Sequence, residues 1–123
     1  MLPRLTTELR GFDPMAGVRE VTANQRAFKG RHGLLVAGVD AKYVTDANID
    51  QILRHYQSSI ADQGWVIRAD VYLPVGGPPT GERALEFCKD DMRAVLEYRP
   101  PEMRAGWVFA LSVDWLSGRP CAE

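Results

Sequence analysis

The sequence predicts an α+β fold, with an antiparallel or mixed sheet of four to six strands and one main helix packed on one face. Apolar residues recur at three- and four-residue steps between Asn48 and Gly64, which is the helical period. Strict alternation from Trp107 to Trp115, and shorter alternating runs before it, have the period of strands. The 123 residues, 46% hydrophobic and 25% charged, suit one folded domain.

The predicted order of elements is one strand, the helix and then four strands. The first strand spans residues 34–44, where Asp40 and Lys42 lie opposite an apolar side and Gly38 suggests a bulge. The apolar side consists of Leu35, Ala37, Val39, Ala41 and Tyr43.

The helix carries signals at both of its ends. Asn48 followed by Gln51 predicts a capping box, with Asp46 as a competing cap. At the other end, Gly64 is suited to the left-handed conformation that ends a helix, and Trp65 is expected to fold back onto the core.

Four further strands are predicted after the helix. Residues 66–73 form the first, with a core face of Ile67, Ala69, Val71 and Leu73. Residues 84–89 and 92–99 form a hairpin around Asp90 and Asp91. The run from Trp107 to Trp115 is expected to be a central strand, with its tryptophans in the core.

We expect a single domain over residues 1–123, with a core at 34–116 and a tail at 117–123. Residues 1–33 are an N-terminal extension or an edge strand. Asp13-Pro14 is compatible with a helix reaching Gly30, but Val18 to Thr22 favours the strand. The glycine- and proline-rich stretches at 76–81 and 100–102 are expected to be loops within the domain.

Composition disfavours several partners and compartments. Fifteen Lys and Arg residues against sixteen Asp and Glu residues give a net charge of −1, which does not favour nucleic acid. No apolar stretch has the length of a membrane span, and the first residues do not resemble a signal peptide, so a cytoplasmic location is expected. Cys88 and Cys121 are interpreted as free thiols.

The sequence contains no recognisable catalytic, metal or cofactor motif, and we expect a protein that is not an enzyme. His55 has no metal-ligand type four residues away on either side and is expected to be structural or solvated. Cys88, the one plausible nucleophile, is interpreted as an inert strand residue. The basic turn Lys29-Gly30-Arg31-His32-Gly33 lacks the spacing of phosphate-binding loops.

Alternation along the predicted strands places several charged residues opposite the apolar stripes. They are Glu86, Glu97, Arg99 and Asp114. Such a cluster on an open sheet surface suits a charged protein partner, and a plain solvated sheet face is the alternative.

A resemblance to a known class of protein follows the central part of the chain. Tyr43-Val44-Thr45-Asp46, the helix core from Ile52 to Ile60, and Gly64-Trp65 are similar to a pattern in small bacterial lipoproteins and orphan bacterial proteins. Phe87-Cys88-Lys89 and Val113-Asp114-Trp115 resemble the later strands of such modules. The resemblance implies an α+β binding domain and no catalytic residue.

In size and chemistry the chain also resembles the immunity proteins encoded beside bacterial toxins. We therefore expect a protein-binding module, foremost a cytoplasmic immunity protein that neutralises a cognate toxin by direct binding. The alternatives are an extracytoplasmic lipoprotein-type binding domain and a small enzyme using Cys88. The sequence leaves the oligomeric state open, including a dimer formed by sheet extension.

Overall fold

A computed structural model describes residues 2–29, 35–73, 78, 80–116 and 120–121. This part of the chain contains two α-helices, six strands and a short 3₁₀ turn. In chain order they are α1 (Leu2–Gly11), β1 (Arg19–Lys29), β2 (Leu35–Val44), α2 (Ile49–Asp62), β3 (Val66–Leu73), β4 (Glu82–Lys89), β5 (Met92–Tyr98), the 3₁₀ turn (Pro101–Met103) and β6 (Phe109–Trp115).

The six strands form one antiparallel sheet in the order β1-β2-β6-β5-β4-β3. This confirms the α+β class and the central position of β6. The predicted order of elements is incomplete, because α1 and β1 precede the strand that we took as the first. The edge strand expected near Val18 to Thr22 is β1, and a helix from Asp13 to Gly30 is wrong.

The N-terminal helix α1 was missed by the sequence analysis. Its buried residues Leu5 and Leu9 have helical spacing, but ten residues make only about three turns, so the periodic signal is weak. Two ion pairs attach one side of the helix to the end of β4 and the β4–β5 turn. Arg4 contacts Asp91 at 3.1 Å, and Glu8 contacts Lys89 at 3.1 Å.

Helix α2 begins and ends close to the predicted residues. The backbone amide of Gln51 donates to Asn48 Oδ1 at 2.9 Å, and the amide of Asn48 donates to Gln51 Oε1 at 2.9 Å, so the capping box is confirmed. Gly64 has φ +89°, and Trp65 behind it is buried. The helix therefore ends where its sequence signals place the end.

Both helices pack on the same face of the sheet, and the core lies between the helices and the sheet. The Tyr56 ring of α2 lies 5.2 Å from Phe109 of β6, and Phe109 stacks on Tyr43 of β2 at 5.0 Å. Burial, reinforced by the nearby Glu20 carboxylate, raises the pKa of Tyr43 to about 12. Fully buried side chains from both layers fill this space: Leu5, Val39, Ile52, Tyr56, Ile60, Leu85, Phe87, Met92, Leu96, Phe109 and Val113.

The connection from α1 to β1 is anchored on α2. The amide of Asp13 donates to Ser59 Oγ at 2.9 Å, and the amide of Met15 donates to the Tyr56 hydroxyl at 3.3 Å. His55 Nε2 donates to the Asp13 carbonyl at 2.7 Å, which gives this histidine the structural role expected for it. No helix in the described ranges is long and apolar enough to cross a membrane.

Strand β3 differs from its prediction, because its expected core face is largely exposed. The register with β4 shifts between Ile67 and Ala69, which breaks the alternation. The strand also lies at the edge of the sheet, where the helices cover little of it. Ile67 and Val71 are consequently exposed.

The interpretation of Cys88 and Cys121 as free thiols is wrong, because they form a disulfide with their Cα atoms 5.3 Å apart. β6 runs antiparallel beside β5 and returns the chain to the β4–β5 turn. There the amide of Leu116 donates to the Asp91 carbonyl at 2.8 Å, and the amide of Cys121 donates to the Asp90 carbonyl at 2.9 Å. The two cysteines are 33 positions apart, and this spacing alone did not predict that they meet.

The predicted hairpin is confirmed by β4 and β5. Asp90 has φ +54°, a left-handed conformation that Asp tolerates better than most residues, so the turn forms without the preferred glycine. The structure describes only parts of two predicted segments, the basic turn at 29–33 and the loop at 76–81. Residues 30–34, with His32, and residues 74–77 and 79 lie outside the described ranges.

Candidate functional site

The sheet face opposite the helices is open, and its side chains lie in rows across neighbouring strands. One row runs from Arg26 of β1 through Gly38, Asp114 and Arg93 to Cys88 of β4. Each residue is the register partner of the next. Four antiparallel pairings therefore bring residues from distant parts of the chain into one line.

Asp114 is the centre of an ion-pair network in this row. Its Oδ1 accepts a hydrogen bond from Arg26 Nη2 at 3.2 Å, and its Oδ2 accepts one from Arg93 Nη2 at 3.5 Å. Arg26 also lies 3.7 Å from the Asp40 carboxylate. The network ties β1, β2, β5 and β6 together across the open face.

Gly38 makes room for this network, and the bulge predicted there is wrong. The register is continuous past Gly38 on both sides. A Cβ atom at this position would collide with Asp114 Oδ1 and would lie 2.9 Å from Arg26 Nη2. Glycine is therefore needed because an ion pair crosses directly over β2.

The next rows form a shallow depression of about 640 Å³ beside the network. Small residues of β6, Ala110 and Ser112, form its floor. Lys42 and Glu97 stand on either side of Ala110, as its register partners in β2 and β5. Within the described ranges, neither of these two side chains forms an ion pair.

Trp107 closes one end of the depression, so it is buried as predicted but lies on the open face and outside the main core cluster. The Arg99 guanidinium lies 3.9 Å from the centre of the Trp107 ring, and Lys42 Nζ lies 5.5 Å from it. Alternation begins only at Phe109, because Val108 and Phe109 are both buried. The indole thus contacts two cations, and each such contact is worth about 0.5–2 kcal/mol.

The structure brings together three of the four residues predicted for a partner surface. Glu97 and Asp114 line the depression, and Arg99 contacts Trp107 at its end. Glu86 lies on the same face but outside the depression, where it forms a 3.2 Å ion pair with Arg68 of β3.

Sequence reasoning did not select four other residues of this surface: Arg26, Lys42, Arg93 and Trp107. Two of them carried a usable signal. Arg93 alternates with Glu97 on one predicted strand, and Lys42 was already placed opposite an apolar stripe. Arg26 had none, because its strand was not delimited and its neighbour in space, Asp114, is 88 residues away.

The disulfide fixes the C-terminal segment beside the row that contains Arg93. Cys88 and Cys121 are both buried, and the nearby Asp91 carboxylate accepts a 2.9 Å hydrogen bond from Trp115 Nε1. Desolvation opposes ionisation of Asp91, but this hydrogen bond and the ion pair with Arg4 outweigh it, so the pKa of Asp91 is lowered. The ionised carboxylate thus joins α1, β6 and the β4–β5 turn.

Within the described residues, no three His, Cys, Asp or Glu side chains come together as metal ligands. Comparison of the chain with family models, curated proteins and solved structures found no match. The open face is therefore interpreted from its own geometry.

Proposed function

We propose that the protein is a non-enzymatic protein-binding module that holds its partner on the open sheet face. The observation that carries this proposal is the small-residue floor between Lys42 and Glu97, next to the Asp114 network. Charges of both signs around a shallow surface supply the electrostatic complementarity that guides protein association. Trp107 and Arg99 at one end are residue types that often anchor protein interfaces.

The leading candidate within this class is an immunity protein that neutralises a bacterial toxin by occupying it. This role requires a stable scaffold and a charged contact surface rather than catalytic groups. The Asp114 network supports it, because side chains that are already held in place lose less conformational entropy on binding. The proposed location for this role is the cytoplasm.

The disulfide favours a second candidate, an extracytoplasmic binding domain of the kind found in small lipoproteins. Disulfides persist in oxidising compartments and are rare in the cytoplasm. The bond also occupies the thiol that an enzyme using Cys88 would need. Trapping the thiols of intact cells with an alkylating reagent separates the candidates, since alkylated Cys88 indicates the cytoplasm and protected Cys88 an oxidising compartment.

Site-specific photo-cross-linking in the producing cell tests the proposed contact surface. A photoreactive amino acid at Ser112, on the floor of the depression, is expected to cross-link one protein partner. The matched control carries it at Gln57, an exposed residue of α2 on the opposite side of the sheet. Equal cross-linking from both positions, or from Gln57 alone, would contradict the proposal.

Charge reversal then tests the predicted acidic residues with the identified partner. Glu86→Arg combined with Glu97→Arg is expected to weaken binding while the circular dichroism spectrum stays unchanged. Unchanged affinity in the folded double variant would remove these residues from the contact surface.

A further inference from the structure

The edge strand β3 carries most of the large hydrophobic side chains that are exposed in the described part of the chain. Among the described residues, six large hydrophobic side chains are exposed, and four of the six belong to β3. The four are Val66 (64% exposed), Ile67 (42%), Val71 (37%) and Tyr72 (60%).

The two edges of the sheet differ in character. β3 and β1 are the terminal strands. On β1 the exposed face carries polar residues, such as Thr22, Asn24 and Arg26. Among residues 19–27 of this strand, for which burial is described, Val21 is the one large hydrophobic residue that is exposed. Charged and polar edges discourage pairing with another chain, whereas an exposed apolar edge invites it. β3 is therefore the edge suited to a further strand.

We propose that a second copy of this chain occupies the β3 edge, with Ala69–Leu73 of the two copies paired antiparallel around a twofold axis at Val71. After the register shift, Ala69, Val71 and Leu73 lie on the open-face side, and Asp70 and Tyr72 on the helix side. Residues directly opposite each other in an antiparallel pair share a face. With Val71 on the axis, Ala69 meets Leu73 of the other copy and forms one continuous apolar row.

Charge selects this register over its neighbour. Asp70 is the one charged residue of the paired segment, and its two carboxylate oxygens accept hydrogen bonds from Arg83 Nη2 at 2.7 and 2.6 Å. An axis at Asp70 would place two aspartates opposite each other, which is destabilising. An axis at Val71 instead places Asp70 opposite Tyr72 of the other copy.

The side chains next to Asp70 complete a symmetric contact. The Arg83 guanidinium lies 5.0 Å from the centre of the Tyr72 ring in the same chain. Pairing at Val71 brings the other copy's tyrosine against this Asp70 and Arg83 pair, twice over by symmetry. A twofold contact of this kind closes on itself, which limits assembly to two chains.

The proposed dimer joins two six-stranded sheets into one sheet of twelve strands, with both open faces on the same side. This assembly is independent of what the open faces bind. A dimeric or repetitive partner would be held by two sites at once, which raises the apparent affinity without new contacts.

Sedimentation velocity over a concentration series tests the dimer with the intact, disulfide-bonded chain. The wild-type protein is expected to sediment as a dimer of the 13.7 kDa chain. Val71→Lys is expected to weaken dimerisation by about tenfold or more, because two like charges meet on the axis. Val21→Lys, on the other edge strand, is the matched control and is expected to leave the dimer intact.

Several outcomes would overturn the proposal. A wild-type chain that stays monomeric at every concentration would contradict the dimer. It would indicate that a strand of another protein pairs with β3. Oligomers that grow beyond the dimer with concentration, and that Val21→Lys abolishes, would indicate that β1 of one chain pairs with β3 of the next. A dimer dissociation constant that Val71→Lys leaves unchanged would also contradict the proposed contact at Val71.

A cysteine cross-link tests the register without relying on the stability of the lysine variant. Val71→Cys is expected to give covalent dimers with a short bismaleimide, because the two side chains face each other on the axis. Ala69→Cys is the control, since its two copies would lie about 13 Å apart, four residues along the strand. Equal cross-linking from both positions would show that the proposed register is wrong.

Discussion

The position of the Asp114 carboxylate between Arg26 and Arg93 depends on the glycine at position 38. Because no side chain stands at position 38, the carboxylate reaches Arg26 across β2 while also contacting Arg93. The open face is therefore organised by a residue whose contribution is its missing Cβ. Such a role is visible only when the strands on both sides are in register.

A double-mutant cycle tests this dependence. Gly38→Ala is expected to lower the free energy of unfolding by about 1 kcal/mol, because Asp114 must turn away from the new methyl group. In the background of Asp114→Ala, the same substitution is expected to cost much less, since the nearest obstacle is gone. Urea denaturation of the four proteins measures the coupling. An equal cost in both backgrounds would mean that Gly38 does not serve the ion pair.

Asp91 is expected to make stability depend on pH in the acidic range. Its pKa is lowered in the folded protein, so the folded state favours the ionised carboxylate more than the unfolded chain does. The resulting stability is fully present above the ordinary pKa of about 3.9 and is lost as the pH falls through the lowered value. Asp91→Asn should therefore cost about 1 kcal/mol at neutral pH.

The same substitution should cost progressively less as the pH falls below 4, because the wild-type carboxylate becomes protonated as the pH passes through its lowered pKa. Urea unfolding of both proteins at neutral and acidic pH measures the difference. A cost that does not change with pH would show that the charge of Asp91 is not what stabilises the fold.

At the scale of elements, the disulfide is expected to be a major stabilising link. It closes a loop of 33 residues between β4 and the C-terminal segment. Loop-closure entropy for that length corresponds to about 3–4 kcal/mol. Cys88→Ser combined with Cys121→Ser should lower the free energy of unfolding by up to that amount, measured by urea denaturation. Reactive thiols in the unreduced, denatured wild-type protein would contradict the disulfide itself.

The helix α1 is expected to belong to the cooperative core despite its position at the start of the chain. Leu5 is fully buried, so Leu5→Ala should cost about 2–5 kcal/mol. Thr7→Ala, on the exposed side of the same helix, is the control and should change stability by less than about 0.5 kcal/mol. Thermal denaturation compares the two. Similar small losses would indicate that α1 is loosely attached.

Sequence periodicity predicted the elements that have long, uninterrupted patterns. The α2 capping box, the β4–β5 hairpin and the apolar side of β2 follow from local spacing alone. The failures have long-range causes. β3 had a regular pattern, but its edge position decides exposure, and position in the sheet is not encoded in an eight-residue run.

The candidate site was predictable in part for the same reason. Alternation placed Glu86, Glu97 and Asp114 opposite the apolar stripes, and the sheet places them there. Strand order then decides which of them are neighbours. It separates Glu86 from the depression and brings in Arg26 from the far edge. The disulfide was concealed by the same kind of long-range meeting.

At the scale of the whole molecule, the fold separates stability from recognition. The helices and the core occupy one side of the sheet, whereas the other side carries the Asp114 network and the depression. Substitutions of Lys42 and Glu97 in the depression should therefore alter binding more than they alter folding.

Isothermal titration of the partner identified by cross-linking, with two charge-reversal variants, tests whether the open face holds the partner site. Glu97→Arg, in the depression, should weaken binding by about tenfold or more. Asp62→Arg, on the exposed end of α2, should leave the affinity unchanged. Both variants should unfold within about 0.5 kcal/mol of the wild type. Equal affinities for both variants, or a greater loss from Asp62→Arg, would contradict a partner site on the open face.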